Sequence, residues 1–163
     1  MTDLSARAAD VRLLVLDVDG VLTDGRLYFS TRGEEMKSFH VRDGAGIVAI
    51  QRAGVQIAVI SGREFKGVDL RMQELGITRV HQRVKDKLPV LQQILDRCKL
   101  TLDEVACVGD DTPDVPLLSA ARLGVAVADA HPAAKKAAHW VTHARGGCGA
   151  VREVCDLLLS AHT

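Results

Sequence analysis

Val15-Leu16-Asp17-Val18-Asp19-Gly20-Val21-Leu22-Thr23-Asp24-Gly25 decides how the chain is read. It opens as the end of an aliphatic run and closes on two carboxylates one residue apart. Val11 to Leu16 is apolar almost without interruption, the pattern of a strand buried on both faces of a parallel sheet. Asp17 then falls at the C-terminal end of that strand, where open α/β sheets hold their ligands. Side chains alternate along extended backbone, so Asp17 and Asp19 point the same way, and Gly20 lets the chain turn off steeply. Taken alone, D-x-D-G could be a polar turn after a core strand; the remainder of the sequence argues for more.

Working outward, 163 residues suit a single domain (1–163) with a substantial core, and 47% hydrophobic against 3% aromatic content makes that core aliphatic. Lys plus Arg and Asp plus Glu each number 21, so the net charge is zero, which argues against nucleic-acid or membrane-surface partners. Met1 to Asp10 lacks the apolar core of an export signal, and no apolar run reaches membrane-spanning length. The four cysteines (Cys98, Cys107, Cys148, Cys155) have no C-x-x-C spacing. They read as reduced thiols of a cytoplasmic protein, and zinc is not expected.

Downstream, Leu27, Phe29, Met36, Phe39 and Val41 flank a polar, glycine-containing turn at 30–34, a hairpin signal over Gly25 to Val41. Asp43 is placed to cap a helix over 44–53. Strands follow at 55–60, 78–81, 105–108, 124–128 and 140–142. Helices are expected at 64–75, 86–98, 113–121, 132–138 and 150–159. Strands alternating with helices predict a Rossmann-like α/β three-layer sandwich with a mainly parallel sheet and right-handed crossovers.

Three strand ends carry chemistry: Asp17 and Asp19, Ser61, and the cluster Asp110, Asp111, Asp114, with Lys87 opening an intervening helix. Five carboxylates in one crevice repel; two unit charges ~4 Å apart cost ~4 kcal/mol at an effective dielectric near ~20. Such a site calls for a cation, and hard oxygen ligands favour Mg²⁺. In this reading Asp17 is a nucleophile able to form an aspartyl-phosphate, and Asp19 handles the leaving-group and water protons. Ser61 and Lys87 hold phosphate oxygens, Asp110 ligates the metal, and Asp111 and Asp114 orient its surroundings. Gly62 and Arg63 follow Ser61, and Arg63 is suited to clamp an anion.

These stretches, D-x-D-G-V-L-T-D-G at 17–25, S-G-R at 61–63, Lys87 and G-D-D-x-x-D at 109–114, resemble the four motifs of the haloacid dehalogenase-like phosphatases, in order, across residues 11–160. V-R-D-G-x-G-I at 41–47, A-V-A-D-A-H-P at 126–132 and G-G-x-G-A-V-R-E-V-C at 146–155 carry a narrower likeness, to the 3-deoxy-D-manno-octulosonate 8-phosphate phosphatase family. That resemblance implies removal of phosphate from an acidic eight-carbon sugar in lipopolysaccharide biosynthesis. It implies a metal held by Asp17, Asp110 and the backbone carbonyl of Asp19. It also implies substrate contacts from Asp19, Gly62, Arg63, Arg71 and Lys87, with a loop of His40, Val41, Arg42, Asp43 and Gly44 closing over the sugar acid. Two plainer roles stay open: Arg71 as part of a solvated helix face, and Arg42 and Asp43 as a structural ion pair and helix cap. His81, His139 and His143 have no catalytic partners in the pattern. Departures are Arg83, where a glycine is expected before the lysine, and Cys148, where a basic residue is common. A third departure is at the C-terminus: the sequence ends four residues after Leu159, where some relatives carry a flexible tail that reaches a neighbouring site, so tail-assisted product release stays open.

The segments between Asp17 and Ser61 and between Ser61 and Lys87 are filled by the expected elements, leaving no room for a cap domain. The aromatic hairpin, with Tyr28 and Phe29, is the candidate cover. An isolated hairpin has unpaired edges, and the resemblance points to a homotetramer in which four hairpins form a central barrel; the alternative is a hairpin folded on its own domain. Competing functions are a phospho-receiver domain, a catalytically silent subunit and a phosphatase for nine-carbon sialic-acid-type 9-phosphates. The receiver expects its acidic pair on the first strand and its phosphorylated Asp on a later one, unlike the order here.

Overall fold

The computed structural model describes residues 3–162; Met1 and Thr2, which begin the Met1 to Asp10 segment read for an export signal, and Thr163 lie outside the described residues. Six parallel strands form the sheet: β1 (Leu13–Leu16), β4 (Gln56–Ile60), β5 (Arg79–His81), β6 (Val105–Gly109), β7 (Leu123–Ala126) and β8 (Trp140–Val141), in the order β5-β4-β1-β6-β7-β8. β1 is central, pairing Leu13 with Gln56 on one side and with Val105 on the other. All four of its residues are buried, which is why the sequence there is uniformly aliphatic rather than alternating. The chain leaves β1 first toward β4 and β5, then returns to the other side through β6. The reversal sits at the C-terminal ends of β1, β4 and β6, and there the sheet opens a crevice.

Helices cover both faces. On one lie α1 (Asp3–Ala9), α2 (Val41–Arg52) and α7 (Ala150–Ala161), which pack on one another, with α3 (Lys66–Glu74) beside α2 where Arg71 abuts Gly44. On the other lie α4 (Lys87–Cys98), α5 (Val115–Ala120) and α6 (Pro132–Ala137). The Rossmann-like class expected from the strand–helix alternation is therefore the one observed. Among the described residues, no helix is long and apolar enough to cross a membrane.

The elements differ in detail from the expected ones. The helix α1 was not foreseen: its seven residues carry no apolar periodicity, and it is held by buried Ala8 and by Arg7 Nη1 donating to the Arg122 carbonyl at 2.9 Å. α2 starts at Val41, capped by His40, whose Nδ1 accepts the Arg42 N–H at 3.2 Å. Asp43 is not its cap. The carboxylate of Asp43 turns inward and accepts the Arg152 N–H of α7 at 2.8 Å, so it caps the neighbouring helix, whose own N-cap position is Gly149. The hairpin is real but brief: β2 (Tyr28–Phe29) pairs antiparallel with β3 (Glu35–Met36).

Candidate active site

Asp17 is set by the end of β1, its N–H donating to Val108 O of β6 at 3.2 Å. The next five residues make a tight turn around Thr23, which is fully buried. Thr23 N donates to Val18 O at 3.0 Å, and Thr23 Oγ1 accepts the N–H groups of Gly20 (3.3 Å) and Gly25 (3.2 Å). Gly20 has φ +87°, and a Cβ there would lie 2.1 Å from Asp110 Oδ2. Glycine is thus required twice, for its left-handed backbone and to leave room for the opposing carboxylate. Gly146 seals the turn from behind: its Cβ would meet Gly20 O at 1.7 Å, and its N–H donates to Asp129 Oδ1 at 3.0 Å.

Lys87, the first residue of α4, has a side chain 3% exposed and donates to Asp17 Oδ1 at 2.8 Å and Asp114 Oδ1 at 2.6 Å. Asp114 spends its other oxygen on the N–H groups of Asp110 (3.0 Å) and Asp111 (3.3 Å), which fixes the loop after β6. Oxygens of Asp17, Asp110 and Asp114 lie within 4.8 Å of one another. Burial and then the Asp114 charge push the Asp17 carboxyl up to about 6, against the pull of Lys87. Burial, Asp17 and Asp114 push Asp110 up to about 8. For Lys87, burial works to lower the ammonium, but Asp17 and Asp114 outweigh it and the net shift is upward. One buried ammonium cannot balance three ionised carboxylates, so this donor set of hard oxygens fits a divalent cation.

Asp17, Asp19, Gly62, Arg63, Lys87, Asp110, Asp111 and Asp114 line one cavity of ≈ 310 Å³, together with Gly25 and Pro113. Ser61 does not line it; the residue follows the end of β4 next to the lining residue Gly62, is 1% exposed, and has its backbone tied to His81 O and Val84 N. His40, Asp43, Gly44 and Arg71 do not line this cavity; they border a separate small hollow between α2 and α3. Arg71 pairs with Glu74 at 2.8 Å, while Val41 is 80% exposed and Arg42 is exposed on the outer surface.

Two residues at the site escaped the sequence reading. Lys37 Nζ donates to Asp19 Oδ1 at 2.5 Å, and Glu35 accepts from Arg63 Nη2 at 3.3 Å. The signal was present: in Glu35-Met36-Lys37 the alternation of a strand puts both charges on one face and Met36 on the other. The departure at Arg83 also has a structural counterpart, since Arg83 stands at φ 58°, a backbone that favours glycine.

The sequence profile of the haloacid dehalogenase-like hydrolases matches residues 77–151. The 3-deoxy-D-manno-octulosonate 8-phosphate phosphatase KdsC of Escherichia coli (strain K12) is 48% identical over 159 residues, 98% of this chain and 85% of that protein. The chain belongs to this phosphatase family of haloacid dehalogenase-like hydrolases. Solved members superpose closely. The family structure from Yersinia pestis has a TM-score of 0.97 at 46% identity, covering 99% of this chain and 87% of that one. The phosphatase from Moraxella catarrhalis, solved in complex with magnesium ion, phosphate ion and KDO, has a TM-score of 0.96 at 37% identity, covering 99% and 92%. In the family context, the acidic crevice at the end of β1 is the place to look for chemistry.

Proposed function

We propose that this enzyme is a Mg²⁺-dependent phosphatase that hydrolyses 3-deoxy-D-manno-octulosonate 8-phosphate to the sugar acid and phosphate, in lipopolysaccharide biosynthesis, through an aspartyl-phosphate on Asp17. The observation that carries the reading is the pairing of Asp17 with buried Lys87 beside Asp110 and Asp114, at the bottom of a cavity whose rim holds Arg63. Asp17 and Asp110, with the backbone carbonyl of Asp19, would hold Mg²⁺, which when bound offsets the carboxylate repulsion and polarises the phosphate.

With Lys87 on Asp17 Oδ1, the other oxygen of Asp17 serves as the nucleophile. It bonds to phosphorus as the bond from phosphorus to the sugar oxygen breaks, and Asp19 gives that oxygen its proton. Asp19 then takes a proton from the water that cleaves the aspartyl-phosphate, which returns both residues to their starting state. Lys87 and Ser61 hold the equatorial oxygens as charge spreads over them. Arg63, already bonded to a carboxylate in Glu35, is suited to exchange it for the sugar's carboxylate. His40, Val41, Arg42, Asp43, Gly44 and Arg71, apart from the cavity of their own chain, fit a role across a subunit interface in a homotetramer whose hairpins cover the sites. We place the enzyme in the cytoplasm, where its four free cysteines stay reduced.

Phosphate release from a panel of sugar phosphates with Mg²⁺ tests the reading. The eight-carbon acid phosphate is expected to exceed a nine-carbon sialic-acid-type 9-phosphate in kcat/KM. Asp17→Asn should lower turnover by more than ~10³-fold with the melting temperature kept. Preference for the nine-carbon substrate would reassign the sugar; a fully active Asp17→Asn protein would overturn the mechanism.

A further inference from the structure

Asp19 has a partner that the reaction scheme above leaves unused. Lys37 comes from the end of the hairpin, yet its side chain is 1% exposed. Its ammonium reaches Asp19 Oδ1 at 2.5 Å and Glu35 Oε1 at 3.7 Å, and it sits 5.3 Å from the centre of the Phe65 ring. Withdrawing an ammonium from water is costly unless it is paired. Here two carboxylates and an aromatic face compensate it, so the site is built around Lys37 rather than grazed by it. Lys87 is tied to Asp17 and Asp114, which leaves the proposed nucleophile and the proposed acid–base group on separate cations.

We infer that Lys37 is a positioning residue for Asp19. The carboxyl of Asp19 stands on a short turn at the mouth of the cavity, with its side chain 21% exposed, where nothing else in the hydrogen-bond network of the turn holds it. The bond from Lys37 fixes the carboxyl plane through Oδ1 and assigns the proton traffic to Oδ2. Because Lys37 belongs to the hairpin, whose Phe29 and Met36 lie on opposite faces of the ribbon and are 61% and 62% exposed, the acid is aimed only when the hairpin is seated. A two-strand hairpin of four paired residues is not stable alone, so whatever covers its exposed apolar residues also holds Lys37 in place. The inference rests on the proposed assignment of Asp19 as proton donor to the leaving oxygen.

Leaving-group dependence tests it. With enzyme in excess and substrate-binding saturated, release of the alcohol from a sugar phosphate and of p-nitrophenol from p-nitrophenyl phosphate isolates the first transfer. The alkoxide needs a proton as it departs; the nitrophenolate hardly does. Lys37→Met should slow the alkyl release ~100-fold, the scale of general acid catalysis, and the aryl release by less than ~5-fold. Lys37→Arg, which keeps charge and reach, should recover most of the alkyl rate. Lys37→Gln carries the same expectation as Lys37→Met and serves if the apolar variant does not fold. Equal losses on both leaving groups would show that Lys37 only anchors the hairpin. An unchanged saturating rate with weaker binding of the sugar acid alone would show that it reads substrate. Either result overturns the inference. Asp19→Asn is the control: if it shows no leaving-group dependence, the acid assignment itself fails and the Lys37 inference falls with it. Any alkyl phosphate that the wild-type enzyme cleaves will serve, so an error in the sugar's identity would appear in the wild-type rates and not in this ratio.

Discussion

At the scale of residues, the energetics of the site are set by carboxylates that cannot share it comfortably. Asp17, raised to about 6, and Asp110, raised to about 8, both start from 3.8. A carboxyl whose pKa is raised on folding binds its proton more tightly in the native state. Its contribution to stability is full below the unfolded value and is lost as pH rises through the folded one. The metal-free protein should therefore lose stability between about pH 4 and 8 on account of these two groups, and a cation that binds the ionised forms should restore it. Thermal melts are expected to show a larger Mg²⁺-induced rise in Tm at pH 8.5 than at pH 5.5; an equal rise at both would contradict the arrangement. Arg83 makes a second residue-scale case. It holds φ 58° with its guanidinium paired to Glu64 on the surface. Relief of the left-handed strain should let Arg83→Gly gain up to ~1 kcal/mol in chemical denaturation, with turnover unchanged. Sequence reading marked Arg83 as a departure but had no means of assigning its backbone. It found Asp17, Lys87 and Asp110 because each stands at an element boundary. It missed Lys37 because one lysine in a polar hairpin has no signature until its neighbour in space is known.

Elements position these residues through a few backbone contacts. The turn after β1 is clamped between Asp110 in front and Gly146 behind, and both contacts tolerate no extra atom. Gly146→Ala would drive a methyl into Gly20 O, so the turn carrying Asp19 must shift. A cost of ~1–3 kcal/mol is expected, as for other overpacked sites, with loss of phosphatase activity in the folded fraction; an active variant of normal Tm would show that the turn yields freely. The elements themselves were legible where periodicity was strong. β1, β4 and β6 are continuous apolar runs, and α4 places Leu91, Ile94 and Leu95 on one buried face. Legibility failed at polar caps. Asp43 looked like the start of α2, yet its carboxyl serves α7, 109 residues away in sequence, a partnership that no local pattern encodes.

For the whole molecule, the hairpin is where apolar surface is concentrated. Phe29 at 61% and Met36 at 62% exposure are large apolar groups left in water, flanked by Leu27 at 42% and Tyr28 at 39%. In a tetramer built through the hairpins, Phe29→Asp should yield smaller species in sedimentation velocity at micromolar concentration and at least a ~10-fold lower kcat/KM, given the several kcal/mol that a buried charge costs. A tetramer of normal activity would place the interface elsewhere. The strand order has a consequence of another kind, for how the chain comes to be folded. β1 is made before either of its neighbours, and one of the two, β6, begins only at Val105. Until the ribosome has delivered β6, one edge of this aliphatic strand has nothing to bond to. Non-local parallel pairing of this sort is slow, and the nascent chain is sticky while it waits. The acidic crevice, which needs both neighbours of β1, cannot form before β6 is made, so a chain interrupted before β6 is a client for chaperones and lacks the crevice altogether.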